Sequence, residues 1–257
     1  MFSKSTATES LMKPSSNKPP LKSLVTIAIP TMRRWSFLKN SIPAYLARPE
    51  VAEVIVCDET GEDYDLLHKT FGDQKKLRLY KNEKRLGIYE NKMKCLSLAT
   101  GGWVALLDSD NIFGDEWFEA LHDLDFSNKK LIFASADFKS LNVKTGVIKR
   151  DCESFSGLML KANNWNTTLT QPKWNFLLND GNWIMHSSAF YTLDKNVKSE
   201  SLQAADAIFM ARCFVKGGYS IYYVPGLEYT HIVHPGSSWL LTDVESSNIL
   251  LSTNWRI

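Results

Sequence analysis

The stretch GWVALLDSDN, residues 102–111, decides the fold. Its apolar part, residues 104–107, is short, carries no charge and ends abruptly in acid, which is typical of a strand buried on both faces. Asp108, Ser109 and Asp110 would then lie just beyond the carboxyl end of that strand, where open α/β sheets bind their ligands. Two carboxylates one residue apart repel each other and lose hydration at such a place, so a bound cation would stabilise them.

The same acidic triplet could instead cap the following helix, as Asn111 or Asp115 could also do. The Asp-x-Asp (DXD) pattern is, moreover, common by chance. The triplet by itself therefore leaves a cation or ligand site and a helix cap equally open.

Apolar runs and amphipathic segments alternate along the first half of the chain. Strands are predicted at residues 24–29, 51–57, 77–80 and 104–107, and helices near 36–47, 63–71 and 88–99. This alternation with short connections indicates right-handed βαβ crossovers and a mostly parallel sheet covered on both faces. Pro43 is expected to kink or restart the first helix, with Ser41 as a plausible cap.

The pattern changes after residue 111. Helices are predicted at residues 117–124, 203–216 and 239–257, and strands at 131–138, 143–150 and 220–225. Residues 151–185 are dense in Trp and Asn and favour no single structure. The N-terminal residues 1–23, rich in Ser, Thr, Lys and Pro, are expected to form a disordered tail.

Composition limits the class of protein. A hydrophobic content of 44% with 23% charged residues fits a soluble globular protein, and a net charge of +2 is too small to indicate a nucleic-acid partner. Four cysteines without CxxC spacing indicate buried thiols in a reducing compartment. Because no apolar stretch approaches the roughly 20 residues of a bilayer span, and no signal peptide is evident, we expect a cytoplasmic protein without a transmembrane segment. Peripheral membrane contact and oligomeric state stay open.

Polar residues follow three of the predicted strands: Thr31 and Arg33, then Asp58 and Glu59, then Asp108 and Asp110. Adjacent parallel strands would bring all three groups to one edge of one sheet. Strand-to-helix loops are polar in general, which explains any one of these groups but less readily their coincidence.

Later polar residues permit two interpretations each. Asp206 opens an amphipathic helix, where the helix dipole stabilises a carboxylate by roughly 0.3–1 kcal/mol, so its spacing alone favours a structural role. His231 and His234 are predicted in a loop after a strand, where an imidazole could complete a cation site or simply be solvated. Lys84 and Arg85 could neutralise phosphate, although a solvated charged loop is the more frequent outcome.

Four blocks resemble, in order, those of the family 2 inverting glycosyltransferases with the GT-A fold: IAIPTMRR, EVIVCDET, KRLGIYENKMKCLSLATGGWVALLDSDN, and AADAIFMARCFVKGGYSIYYVP with a later His. The resemblance covers about residues 24–234. It implies a Rossmann-like, mostly parallel α/β sheet flanked by helices, with a smaller mixed region on the acceptor side. The implied domain spans residues 24–240, with a nucleotide-sugar-binding half at 24–111, an acceptor-binding half at 112–240, and a C-terminal helix or tail at 241–257.

The resemblance also implies roles for individual residues. The donor nucleotide sugar would be bound by Pro30, Thr31, Arg33, Asp58, Glu59, Arg85, Asn91, Asp108 and Ser109. Mn²⁺ or Mg²⁺ would be held by Asp108, Asp110 and His231 and would bridge to the diphosphate. Hard cations of this kind prefer oxygen ligands and keep open positions for phosphate.

The late block implies the catalytic base and the acceptor side. Asp206 and Arg212 keep the spacing of the family's late block, but Ala205 replaces its usual Glu, which puts fine positioning in doubt. Asp206 would be the catalytic base. Trp183 and His186 would contact the acceptor, because flat rings stack on the apolar faces of sugars.

The resemblance thus implies an inverting, metal-dependent transfer of a sugar from a UDP- or GDP-sugar to a hydroxyl of a carbohydrate or glycoconjugate acceptor by direct displacement. Two alternatives stay open. A sugar nucleotidyltransferase would share the nucleotide-binding half without a need for Asp206, and a non-catalytic nucleotide-sugar-binding protein would bind the donor without turnover.

Overall fold

The first half of the chain builds four parallel strands connected by helices. The computed structural model describes residues 24–136, 138–150, 155–171, 174–178 and 181–257. The elements of the first half are β1 (Val25–Thr31), α1 (Trp35–Leu46), β2 (Val51–Asp58), α2 (Glu62–Phe71), β3 (Leu77–Lys81), α3 (Ile88–Ser97) and β4 (Trp103–Leu106). Strand β1 pairs in parallel with β2 and β4, and β2 with β3, so the carboxyl ends of all four strands meet at one edge. The predicted alternation is confirmed.

The second half enlarges this sheet and adds a smaller one. Its elements are β5 (Ile112–Phe113), α4 (Asp115–Leu121), β6 (Leu131–Ser135), β7 (Phe138–Asn142), β8 (Gly146–Arg150), β9 (Met159–Leu160), α5 (Ala162–Thr168), α6 (Trp174–Leu178), β10 (Trp183–His186), α7 (Asp206–Lys216), β11 (Ser220–Val224), β12 (Tyr229–Val233), α8 (Ser238–Leu241) and α9 (Asp243–Ser252). The large sheet has the order β3-β2-β1-β4-β10-β6-β11-β9, and the small one the order β5-β12-β7-β8.

Strand direction in the large sheet is mostly uniform. Strand β10 is antiparallel to both β4 and β6, and β9 is antiparallel to β11, while the other six strands run the same way. The predicted α/β class with a mostly parallel sheet is therefore confirmed. The centre of the sheet is buried on both faces: β1 and β4 are apolar and almost wholly inaccessible, apart from the polar Thr26 and Thr31 and the half-buried Pro30.

Several predicted elements differ from the structure. Helix α1 runs through Pro43 without a break, because the ring removes only one backbone hydrogen bond while Leu38, Ile42 and Tyr45 bury one continuous face. Ser41 does not cap a new helix; its hydroxyl donates to the Phe37 carbonyl at 3.3 Å.

Two segments of the second half were also predicted wrongly. The predicted strand at residues 131–138 is divided between β6 and β7, which lie in different sheets. His231 lies within β12 rather than in a loop. The C-terminal segment forms two helices, α8 and α9, and the predicted tail at residues 1–23 lies outside the described residues.

The helix-capping interpretation of the acidic triplet is contradicted. The next helix, α4, begins at Asp115, its N-cap position is Gly114, and no side chain caps it. Asp108 and Asp110 are thus left at the sheet edge without a helix to cap. Within the described part of the chain, no helix has the length and apolar character needed to span a bilayer.

Candidate active site

An open cleft of about 870 Å³ lies at the carboxyl edge of the parallel strands. It is walled by the ends of β1, β2 and β4, the beginnings of α3 and α7, strand β12 and helix α8. Ten of the residues predicted from sequence line it: Pro30, Thr31, Glu59, Arg85, Asn91, Asp108, Ser109, Asp110, Asp206 and His231. The structure thus brings carboxylates from the donor-side strands and from α7 into one space.

A buried lysine connects two of these carboxylates. The Lys92 Nζ atom lies 2.9 Å from Asp108 Oδ1 and 3.0 Å from Asp206 Oδ2. The side chains of Lys92 and Asp206 are each 5% exposed, whereas that of Asp108 is 35% exposed. Asp206 Oδ2 lies within ion-pair distance of Lys92 Nζ. Among the described residues, however, no donor forms a hydrogen bond of ordinary geometry with this oxygen. The network therefore has one end open to the cleft and one end buried.

Burial and neighbouring charges together set the pKa values of this network. Burial raises the pKa of Asp206, the positive charge of Lys92 lowers it, and the charge of Asp108 raises it again, so that the pKa stays above the ordinary aspartate value. For Lys92, burial would lower the pKa, but the two carboxylates outweigh burial and raise it. Lys92 is thus a permanent cation, and Asp206 is a carboxylate more basic than an exposed one.

Asp110 has a separate set of partners. Its Oδ2 atom lies 2.9 Å from His234 Nε2 and 3.5 Å from Arg34 Nε. Because His234 Nδ1 accepts the Gly236 N–H at 3.2 Å, the neutral ring carries its proton on Nε2 and donates it to Asp110. Burial would raise the pKa of Asp110, but this hydrogen bond and the charge of Arg34 lower it below the ordinary value.

The loop after β1 is held in place by a buried aspartate. Asp63 accepts the Thr31 hydroxyl at 2.6 Å and the backbone N–H groups of Arg34 and Trp35 at 2.9 and 2.8 Å. Arg33, within the same loop, has a left-handed backbone (φ 59°) and extends to Glu62 on the surface. Thr31 and Arg34 therefore face the cleft, while Arg33 is not among its lining residues.

Two neighbouring acids after β2 have different surroundings. Asp58 is fully buried, and its carboxylate accepts the N–H groups of Thr60 and Tyr64, so it closes the β2–α2 turn behind the cleft wall. Glu59 lines the cleft and accepts the Leu86 N–H at 2.7 Å. Burial raises the pKa of Glu59, although that N–H bond opposes the change.

Trp183 and His186 lie away from the cleft. Trp183 is 1% exposed and packs edge-on against Phe214 in the core. His186 pairs with Trp103 at the start of β4, at the edge of the sheet opposite the acidic triplet. Asn182, just before β10, does line the cleft, and its Oδ1 atom accepts the Asp108 N–H at 3.1 Å.

The cleft offers carboxylate oxygens of the kind that suit Mg²⁺ or Mn²⁺, chiefly from Asp110, and the His231 imidazole also lines it. The described residues contain no group of three His, Cys, Asp or Glu side chains arranged to hold an ion unaided. The lining does contain five carboxylates, Glu59, Asp108, Asp110, Glu200 and Asp206, against three cations, Arg34, Arg85 and Lys92. A divalent ion therefore fits if a bound diphosphate supplies its remaining ligands.

Several residues of the site were not predicted from the sequence, among them Lys92, Arg34, Asn182 and Asp63. Lys92 did leave a signal: it lies on the buried face of α3 with Tyr89, Met93 and Leu96, where a charged residue is unusual. Arg212, whose spacing matched, instead binds the carbonyls of Trp255 and Arg256.

Comparisons with known proteins identify similar sequences. The profile described as glycosyl transferase family 2 matches residues 26–190. A glucosyl-dolichyl phosphate glucuronosyltransferase of Haloferax volcanii is 31% identical over 105 residues, which are 40% of this chain and 34% of the relative. An uncharacterized protein of Mycobacterium tuberculosis is 30% identical over 97 residues, 36% of this chain and 29% of the relative. The matches to these relatives thus span about a third of their length.

Solved structures share the fold. GalNAc-T7 with UDP, GalNAc and Mn²⁺ superposes with a TM-score of 0.59 at 15% identity, over 91% of this chain and 48% of the other. Residues 1–349 of S. aureus TarS in complex with UDP-GlcNAc superpose with a TM-score of 0.57 at 14% identity, over 84% of this chain and 60% of the other. At such identities the likeness establishes the fold alone.

Proposed function

Because the chain belongs to glycosyl transferase family 2, a family of the GT-A fold, we propose that it transfers a sugar from a nucleotide-sugar donor to a hydroxyl acceptor with inversion. The observation that carries this proposal is the network in which Lys92 bridges Asp108 and Asp206 within one cleft. A single displacement needs one group that binds the donor and a base that deprotonates the acceptor. Asp108, after a donor-side strand, and the more basic Asp206, from another part of the chain, are suited to these two tasks.

In the proposed reaction Asp206 is the base. It takes the proton of the acceptor hydroxyl while that oxygen bonds to the anomeric carbon, and the bond from this carbon to the diphosphate breaks with its electron pair on the leaving oxygen. General-base catalysis works best when the base's pKa approaches the working pH. The burial that raises the pKa of Asp206 supports this role.

The donor would occupy the part of the cleft formed by the ends of β1, β2 and β4. Pro30, Thr31 and Glu59 would contact the nucleoside, and Arg85 would approach the diphosphate. The two structural neighbours described above contain UDP or UDP-GlcNAc, which favours a UDP-sugar over a GDP-sugar. Asp58 would act through the turn it closes rather than through direct contact.

We propose that a divalent ion accompanies the diphosphate, with Asp110 and His231 as its protein ligands. When bound, such an ion supplies positive charge that stabilises the leaving diphosphate. The excess of carboxylates over cations in the lining supports this, since a diphosphate dianion would otherwise meet net negative charge. Arg34, 3.5 Å from Asp110, would contact the same phosphates.

A thermal-shift screen tests the donor assignment. Purified protein is mixed with UDP-, GDP- and other nucleotide sugars, with and without Mn²⁺, because a ligand that binds the native state raises the melting temperature. We expect a UDP-sugar to raise it more with Mn²⁺ present. No shift with any nucleotide sugar under either condition would remove the donor proposal.

Turnover of the selected donor then separates the proposed reaction from its alternatives. Release of UDP that depends on Asp206 supports glycosyl transfer. Full turnover by Asp206→Asn would favour a nucleotidyltransferase, and donor binding without release of UDP for any acceptor tried would favour a non-catalytic binding protein.

A further inference from the structure

An apolar surface borders the cleft on one side. Leu240 and Leu241 of α8 and Val244 and Leu251 of α9 are 48%, 68%, 64% and 83% exposed, and we refer to these four residues as the apolar lip. They are half of the large hydrophobic side chains that the described residues expose, and they fall within twelve consecutive positions. Exposed apolar residues clustered in this way mark a binding surface rather than ordinary surface scatter.

The lip is continuous with the proposed active site. Leu240 and Leu241 line the cleft together with Asp206 and Lys92. Helix α9 packs against the 3₁₀ turn Gln203–Ala205, which leads directly into Asp206. The lip therefore borders the side of the cleft where the proposed base lies.

The exposed side chains of α9 are not needed to dock that helix. The inner face of α9 is formed by Ser246, which is fully buried and accepts the Ala204 N–H at 3.2 Å, and by Leu250, which is 5% exposed. Val244 and Leu251, seven residues apart, share the opposite face. The helix is thus anchored by one face and presents apolar groups on the other.

The charge around the lip identifies the kind of occupant. The segment that carries the lip, residues 238–252, has no Lys or Arg, and Glu245 on α9 is exposed, although Arg256 lines a small pocket with Leu251. An anionic membrane surface attracts basic segments, so this surface is poorly suited to one. An uncharged alkyl or isoprenoid chain has no such requirement.

Resting on the proposed function, we infer that the acceptor is an amphiphile whose hydroxyl-bearing head enters the cleft toward Asp206 and whose apolar tail lies on the lip formed by Leu240, Leu241, Val244 and Leu251. The acceptor class is therefore a lipid-linked saccharide or a similar glycolipid rather than a free sugar.

The test measures how affinity depends on tail length. Hexyl, octyl and decyl β-glucosides, each below its micelle concentration, are titrated into UDP-saturated protein and dissociation constants are measured by calorimetry. Each methylene that the lip covers should tighten binding about two- to fourfold, so decyl glucoside should bind at least about tenfold more tightly than hexyl glucoside. Maltosides of the same tails check that the trend follows the tail and not the head.

Variants decide whether the lip causes the trend. In Leu240→Ser/Leu241→Ser the dependence on tail length should disappear while UDP binding is unchanged. Leu66→Ser, at a 41% exposed leucine of α2 outside the cleft lining, should behave as wild type. Equal affinity for all tails, or the same dependence in the double variant, overturns the inference.

Two further results would also overturn it. Cosedimentation with anionic vesicles that needs the lip, without dependence on tail length, would identify a membrane surface instead. Self-association that the double variant abolishes would identify a second copy of the chain. If affinity depends on tail length but the protein binds no nucleotide sugar, the apolar lip is a binding surface and the proposed function is wrong. Failure of the inference and failure of the proposed function are therefore distinguishable.

Discussion

Replacing Lys92 with methionine gives the sharpest test of the site. The change keeps a long side chain on the buried face of α3 but removes the ammonium that lies 2.9 and 3.0 Å from two carboxylates. Asp108, 35% exposed, can regain water, whereas Asp206, 5% exposed, cannot. Removing one partner of a buried ion pair typically destabilises a protein by about 3–5 kcal/mol.

Protonation of Asp206 sets a ceiling on that loss. An aspartate with an unfolded pKa near 3.9 can be protonated on folding at a cost of about 1.36 kcal/mol per pH unit above that value. The ceiling is therefore about 4 kcal/mol at pH 7 and about 1.5 kcal/mol at pH 5. Because the folded variant would bind a proton that the unfolded chain releases, its stability relative to wild type should recover as the pH falls.

Urea unfolding at pH 5 and pH 7 measures the free energy of unfolding of the variant and of wild type. In thermal unfolding at pH 7, the same loss of stability should lower the melting temperature by roughly 6–16 °C in a protein of this size. The control is Lys198→Met, which breaks an ion pair of 3.0 Å to Glu90 whose side chains are 66% and 26% exposed, and which should cost less than about 1 kcal/mol. Adding Asp206→Asn to Lys92→Met should restore most of the loss. A cost equal at both pH values, or no larger than that of Lys198→Met, would refute the argument.

Three further changes address other parts of the cleft. Asp206→Asn should lower turnover of the donor selected by thermal shift by about 10²–10⁴-fold while UDP still binds, and the exposed Asp194→Asn should change neither; equal turnover in both variants would contradict the assignment of the base. Asp110→Asn should abolish the additional rise in melting temperature that Mn²⁺ gives the UDP complex, and an undiminished Mn²⁺ effect would exclude it as a metal ligand. Gly181→Ala, whose Cβ would lie 3.1 Å from the buried ammonium, should reduce turnover, whereas Gly102→Ala, with no atom closer than 3.8 Å, should not; identical rates would show that this contact is unimportant.

The first half of the fold was predictable because each of its elements carries a local signal. Strands β1, β2 and β4 are short apolar runs that end in polar residues, and α3 repeats its buried positions at helical spacing. In parallel βαβ units these local signals also determine topology, since the crossovers are right-handed. The edge that carries Asp108 and Asp110 followed from the same reasoning.

The second half was less predictable because its strands change direction and sheet. The apolar run at residues 131–138 reads as one strand, yet β6 and β7 belong to different sheets. Strand β10 is antiparallel to β4, so its amino end, not its carboxyl end, meets the cleft. Asn182, ahead of the strand, therefore lines the cleft, while Trp183 and His186 lie in the core and at the far edge. Nothing in the local pattern reveals the direction of that strand.

Contacts within the site were hidden for a related reason. Lys92 and Asp206 are more than a hundred positions apart, and so are Asp110 and His234. The sequence indicates which carboxylates reach the edge but not which cation each one meets. A lysine on the buried face of an amphipathic helix was the one available sign, because burying an ammonium is favourable only when opposite charges surround it.

The three side chains of the Asp108–Lys92–Asp206 network differ in their exposure to the cleft. Asp108 is its accessible end, and Lys92 and Asp206 are its buried end, so a change of charge at Asp108 reaches Asp206 through the lysine. A cation that bound Asp108 would weaken the hold of that carboxylate on Lys92 and leave more of the ammonium's field to Asp206. In a medium of low dielectric such a change of partner is strongly felt over 3 Å. In the proposed mechanism, a cation that accompanies the donor to Asp108 would therefore favour the ionised form of Asp206, the form that can accept a proton.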